Sequence, residues 1–273
     1  MRSSTLAAVI VVALAAPIAQ AQTDAVRILE SDAGWAVLGT DEFSLRIDRT
    51  GAVGKVMVGE TEQCWLIRLY TRPIVPETGE GLRAVQGEVS NGGLGPPPET
   101  LEPEIRGETA SVVIRRTCAR EEIAGGAPLY DLTQTVTVHP SGLINLRYEF
   151  DWLRLFHLHS ASLVIALRAE PLDGCPWYAD FTSSAIGGVI DATPGAKSIP
   201  IRNRPMRTFT AQCPTGDLHL WVNRGEDVGV QRWSAEDYAF FLSVPNVSRA
   251  YPIYPGVRSV LDVDLKLPVA GED

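Results

Sequence analysis

Apolar and polar residues alternate along much of the chain. Phe43, Leu45 and Ile47 are apolar, and Ser44, Arg46 and Asp48 between them are polar. A period of two sends successive side chains to opposite faces of an extended backbone, so this segment reads as a half-buried strand. Thr50-Gly51 supplies a turn, and Val53 to Val58 reads as the returning strand. Strands are also expected at Cys64–Tyr70, Ser111–Cys118 and Tyr130–Val138. The clearest hairpin signal is His139-Pro140-Ser141-Gly142, between Thr133–Val138 and Leu143–Phe150. Proline presets φ for a turn and glycine accepts positive φ. The flanks are rich in Thr, Val, Ile and Tyr, which suit a pleated surface. A further strand pair is expected at Tyr148–Leu155 and His157–Leu167. Later strands are expected at Thr208–Gln212, Leu218–Asn223, Val228–Trp233, Ala239–Val244 and Val260–Leu267.

Helical signals are weak. No twelve-residue stretch carries an i, i+3, i+4, i+7 apolar stripe with caps. Ser234-Ala-Glu-Asp predicts one short helical turn, with Ser234 as N-cap and Asp237 three residues on. Gly92 to Pro103 and Asp191 to Pro205 read as loops, and neither separates compositionally different halves. Roughly fifteen strands at short spacing predict an all-β fold, a large antiparallel two-sheet β-sandwich with very little helix. It would fill residues 22–273 as a single domain.

The first residues break this pattern. Met1 and Arg2 precede an apolar run from Leu6 to Pro17, which ends at Ala19-Gln20-Ala21. The run is too short for a spanning helix, which needs about 20 apolar residues. Residues 1–21 therefore read as a secretory signal peptide, and the mature protein is expected to be secreted or periplasmic. No other segment is apolar enough to cross a bilayer. The formal charge is −9, and cleavage would remove Arg2 and make it −10. Such a balance lacks the basic footprint of a nucleic-acid binder. A local arginine cluster can still receive an anion against that field.

The four cysteines, Cys64, Cys118, Cys175 and Cys213, are an even set in an exported chain, which points to disulfides. Of the three pairings, Cys64–Cys118 with Cys175–Cys213 is favoured, because each pair falls in one half of the chain. No C-x-x-C spacing exists, so a zinc ribbon is not expected.

The run from Phe43 to Val56 (Phe-Ser-Leu-Arg-Ile-Asp-Arg-Thr-Gly-Ala-Val-Gly-Lys-Val) resembles the opening hairpin of the galactose-mutarotase-like supersandwich. Gln134 to Tyr148, a long strand with a Pro-Ser-Gly turn and a return, is similar to a second hairpin of that group. The group includes sugar epimerases and domains of polysaccharide lyases and glycosidases. The resemblance implies the fold and a carbohydrate ligand. It also implies a histidine acid and a glutamate base, but no pair on this chain matches them, and no cofactor is implied.

Several residues could carry chemistry. His157 and His159 are two apart, and a strand would put both on one face, where two imidazoles can hold a metal. The same face is expected to carry Leu153, Leu155, Ala161 and Leu163, which favours a structural role. Arg202, Arg204 and Arg207 offer planar forks for a carboxylate. His219, Tyr178 and Glu226 are the candidate acids and bases beside them. Trp177, set after Gly174-Cys175-Pro176 and expected on a turn, and Trp233 are candidate sugar platforms. Trp221 lies in a predicted strand and could equally be core. No G-x-S-x-G, P-loop or H-E-x-x-H occurs. The leading reading is a secreted carbohydrate-binding or carbohydrate-active protein. The alternatives are a structural interaction domain of the cell envelope and a metal-dependent enzyme built on His157, His159 and His219.

Overall fold

A computed structural model describes residues 25–82, 84–85, 94–197, 199–223, 227–243 and 251–269. The predicted signal peptide and Glu226 lie outside the described residues. Within them run nineteen strands and one 3-10 turn, Glu170–Leu172. In chain order the strands are β1 Arg27–Asp32, β2 Trp35–Gly39, β3 Phe43–Asp48, β4 Val53–Val58, β5 Thr61–Pro73, β6 Ala84–Val85 and β7 Glu104–Arg106. There follow β8 Thr109–Arg120, β9 Ile123–Val138, β10 Leu143–Trp152, β11 Phe156–Arg168, β12 Pro176–Phe181 and β13 Ala185–Val189. The last are β14 Arg204–Cys213, β15 Gly216–Val222, β16 Asp227–Arg232, β17 Asp237–Ser243, β18 Tyr251–Ile253 and β19 Arg258–Lys266.

These strands form two antiparallel sheets. The first runs β1-β2-β3-β4-β5-β11-β17-β16, with β6 on the outer half of β5 and β18 on the start of β11. The second runs β7-β8-β9-β10-β19-β15-β14-β12-β13. β14 belongs to both, since its first two residues pair with β16 and the rest with β12 and β15. The predicted all-β sandwich is thus the observed architecture.

The local signals explain the joints. Gly51 and Gly142, read as turn residues, have φ of 88° and 79°. At 142 a Cβ would also come within 2.5 Å of Val269 Cγ2. The inward faces of the two sheets meet in one apolar core. At its centre Tyr130 packs edge-on against Trp152, and Phe150 and Phe156 complete the group. The Tyr130 hydroxyl lies 2.7 Å from Thr71 Oγ1, so a polar group at the core's centre is satisfied across the sheets.

Three sequence expectations are corrected. β10 and β11 are not a pair: the chain crosses between sheets at 153–155, and each strand finds its partners elsewhere. No helical turn forms at Ser234. Its hydroxyl donates to Asp237 Oδ2 at 2.8 Å and accepts from the Glu236 N–H at 3.0 Å, and this closes a tight turn between β16 and β17. Of the cysteines, Cys175–Cys213 is bonded, whereas Cys64 and Cys118 are separate buried thiols. Cys64 lies on β5 of the first sheet and Cys118 on β8 of the second.

Candidate functional site

Most outward faces of a sandwich are solvated, but part of the outer face of the first sheet is covered. On β11 the inward residues Ala161, Leu163, Ile165 and Leu167 are buried, as the core requires. Val164 and Ala166 point the other way and are also buried, as is Ala239 on β17, yet none belongs to the central core. Small residues therefore make a floor, and larger side chains stand over it. The walls are aromatic and basic. Arg68 pairs with Val164, Tyr70 with Ser162 and Arg72 with Ser160 across β5 and β11, so all three β5 side chains share the floor's face. On the other side Val164 pairs with Phe241 of β17. Trp233, just beyond β16, is 42% exposed, with ring centroids 5.9 Å from Phe241 and 6.0 Å from Trp65.

The resulting cleft holds about 410 Å³ and is lined by Tyr70, Arg72, Ser160, Ser162, Val164, Trp233 and Phe241 among others. That volume suits a small ligand, since binding pockets usually span about 300–1,000 Å³. Outside the lining but on the same strand β5, Arg68 Nε and Trp65 Nε1 are buried and have no acceptor among the described residues. By contrast Arg168, at the end of β11, is committed: it donates to Glu62 Oε2 at 2.6 Å and to Asp237 Oδ1 at 2.9 Å.

A larger, more open hollow of about 1,230 Å³ lies over the second sheet, beside His219, Trp221, Asp264 and Lys266. Here the polar groups bind one another. His219 Nδ1 is 2.9 Å from Thr210 Oγ1, and its ring stacks on Trp221 at 5.0 Å. Asn145 Nδ2 donates to Asp262 and Asp264 at 2.8 and 2.7 Å. Arg147 donates to Asp262 and Glu149. A satisfied network has little to offer a ligand, whereas the lining of the first cleft sets aromatic rings beside serine hydroxyls and one guanidinium. On that ground the cleft of the first sheet, though smaller, is the candidate site.

The proposed site residues are scattered by the fold. Trp233 enters the cleft. Trp177 does not: it sits in β12, is buried, and stacks on Phe209 at 5.8 Å, because the chain is already extended at Pro176 rather than turning there. Tyr178, its neighbour, points outward on the second sheet and is 52% exposed. Tyr178 pairs with Thr210 and Thr210 with His219, so these two candidates share a face, about 10 Å apart across two strand spacings. Arg204 is engaged with the Phe181 ring at 4.5 Å and donates to Ser184 Oγ at 2.8 Å. Arg202 and Arg207 are exposed, and Arg202 lines a separate hollow beside Gly229 and Gln231. The three arginines and Trp177 therefore do not form one site.

His157 and His159 do share an exposed face, but Ala161 and Leu163 do not share it with them. A β-bulge between Leu158 and Ser160 shifts the alternation by one residue, so the pattern beyond it is inverted. Among the described residues no group of three or more His, Cys, Asp or Glu could hold a metal ion. Arg68, Tyr70, Arg72, Ser160 and Ser162 were not singled out by the sequence. The legible signal was the Arg-x-Tyr-x-Arg spacing on one strand face, but nothing in the chain says that this outward face is covered.

The geometry can be set beside known proteins. No protein-family model matches the chain, and no curated protein sequence does. Among solved structures it is similar to the Slr1438 protein of Synechocystis sp. PCC 6803, with a TM-score of 0.59, 10% identity, and 86% of this chain and 96% of that one covered. It is similar as well to a galactose mutarotase-like protein from Clostridium acetobutylicum, with a TM-score of 0.57, 10% identity, and 89% and 98% covered. The chain has the galactose mutarotase-like fold. Identity this low carries the architecture of the mutarotase-like sandwich and no residue roles. The described residues contain no helix long and apolar enough to cross a membrane.

Proposed function

We propose that this mutarotase-like protein is an exported carbohydrate-binding protein whose ligand occupies the cleft of the first sheet. The observation that carries the reading is the cleft's make-up: a buried floor at Val164 under Trp233, Phe241 and Tyr70, with the hydroxyls of Ser160 and Ser162 and the guanidinium of Arg72 beside them. Aromatic faces pack on the apolar C–H side of a sugar ring, and the polar groups hydrogen-bond its hydroxyls. The neighbour described as galactose mutarotase-like supports a sugar ligand by its name. The Cys175–Cys213 disulfide supports an oxidising compartment, in keeping with the apolar leader and its Ala-Gln-Ala end.

Binding is favoured over turnover. Among the described residues the lining contains no histidine and no carboxylate, so the histidine acid and glutamate base implied by the family have no counterpart there. A glycan array with the mature protein tests the reading. Binding to a defined glycan that is lost in Trp233→Ala is expected. Unchanged binding in that variant would move the site elsewhere.

A further inference from the structure

Most strand edges of this sandwich are guarded. β1 carries Arg27, Glu30 and Asp32 and has a β-bulge between Ile28 and Glu30. β7 is three residues long, and two of them are charged. The open side of β16 is met at its start by β14. Charges, bulges and short length are the usual devices against edge-to-edge pairing. β13, the last strand of the second sheet, has neither a charge nor a bulge. Its sequence is Ala-Ile-Gly-Gly-Val, without proline, and its ladder to β12 runs in unbroken register. Four of its five residues are exposed, Val189 by 65%.

The hydrogen-bond phase shows which groups face outward. The Phe181 N–H donates to the Ser184 carbonyl and the Ile190 N–H to that of Cys175, so the even-numbered residues bond toward β12. Ala185, Gly187 and Val189 therefore turn their N–H and C=O groups to the open edge. Among the described residues no strand pairs with them there. The segment fits a reversed copy of itself. With Gly187 opposite Gly187 of a second copy, Ile186 meets Gly188 and Val189 meets Ala185, so each larger side chain faces a small one. Tyr178 pairs with Gly187, points outward and is 52% exposed. Its counterpart would lie three strand spacings away, about 14 Å between Cα atoms, and both rings can lean over the glycines. The ends match in charge as well. Arg204 donates to Ser184 Oγ at the start of β13, and Asp191 follows its end, so reversal brings Arg204 near Asp191 of the other copy.

We propose that β13 is an interface for a second copy of this chain, paired antiparallel about Gly187 so that the second sheets of the two copies join into one. Such a contact is isologous and closes as a two-fold dimer, held by backbone bonds along the edge. It lies on the second sheet, away from the cleft of the first, and stands whether or not that cleft binds sugar. Sedimentation equilibrium of the mature protein from about 1 to 100 μM tests it, because association depends on concentration. A mass rising to that of a dimer is expected. Amide exchange at Gly187 should slow as the dimer fills. Val189→Pro removes an N–H that faces the open edge, so the bonds to β12 are kept while the dimer loses a bond at each end. Val189→Lys sets a charge on the same edge and serves if the proline variant does not fold. Each variant should raise the dimer dissociation constant at least about tenfold, with the melting temperature within about 4 °C of the native protein's. A monomer throughout the range overturns the inference and leaves the edge to an extended segment of another protein. A dimer that persists unweakened in the variants, or whose Gly187 amide exchanges as fast as in the monomer, overturns the assignment to β13.

Discussion

At the residue scale, burial decides what each side chain can do. Val164 is a floor residue, closed over by larger neighbours and outside the central core. Replacing it with Phe would fill the cleft from below. Val164→Phe is expected to cut ligand affinity by more than about tenfold, and overpacking of this kind costs about 1–3 kcal/mol of stability. Calorimetric titration beside a urea melt separates the two effects. The thiols give a second prediction. Burial pushes the Cys64 thiol up to about 12, against an ordinary value of 9.0. It raises Cys118 as well, where the Tyr130 hydrogen bond and Arg120 act in the opposite direction. The thiolate is the reactive form, so neither cysteine should react with Ellman's reagent at pH 8 in the native protein, and both should react in denaturant. A native thiol titrating at pH 8 would contradict their placement. His219 and Trp177 show how far one residue's sequence context reaches. The strand around His219 was legible, and its stacking on Trp221 two residues on was not, because the sequence left open whether Trp221 faces the core. Trp177 followed a Gly-Cys-Pro run that suggested a turn, but it is held inside by Phe209 from another strand.

At the scale of elements, the disulfide and the bulge in β11 matter most. Cys175 precedes β12 and Cys213 ends β14, so the bond closes a 38-residue excursion that contains β13 and the loop after it. Loop-closure entropy for that length is about 3–4 kcal/mol. Reduction, or a Cys175→Ser/Cys213→Ser pair, should lower unfolding stability by about that amount, read from urea midpoints with and without reductant. An unchanged midpoint would show that the β12–β14 ladder alone fixes the segment. The bulge between Leu158 and Ser160 sets the phase of β11: before it His157 and His159 face out, and after it Ser160, Ser162 and Val164 line the cleft. Strict alternation read from the sequence placed Ala161 and Leu163 beside the histidines. One inserted residue reverses that assignment, because a shift by one flips every side chain that follows.

At the scale of the whole molecule, the core's polar groups shape the response to pH. Burial raises the native pKa of Cys64, Cys118, Tyr130 and Tyr148 above their ordinary values of 9.0 for the thiols and 10.0 for the phenols. Between those ordinary values and the raised native ones the unfolded chain has lost protons that the native protein keeps. Stability is therefore full below about pH 9 and falls as pH rises toward 12. Urea midpoints at pH 7, 9 and 10 should decline over that interval, and a flat profile would contradict the burial of these groups. The sequence by itself determined the all-β class, the strands around Phe43–Asp48 and Leu143–Phe150, and the turns at Gly51 and Gly142, because side-chain alternation and backbone freedom are local properties. Only the tertiary structure decided which strands share a sheet, which cysteines meet, and that the outward face of β5 and β11 is covered. Those outcomes depend on residues far apart in the chain, and a periodic pattern fixes which way a side chain points but not what it will find there.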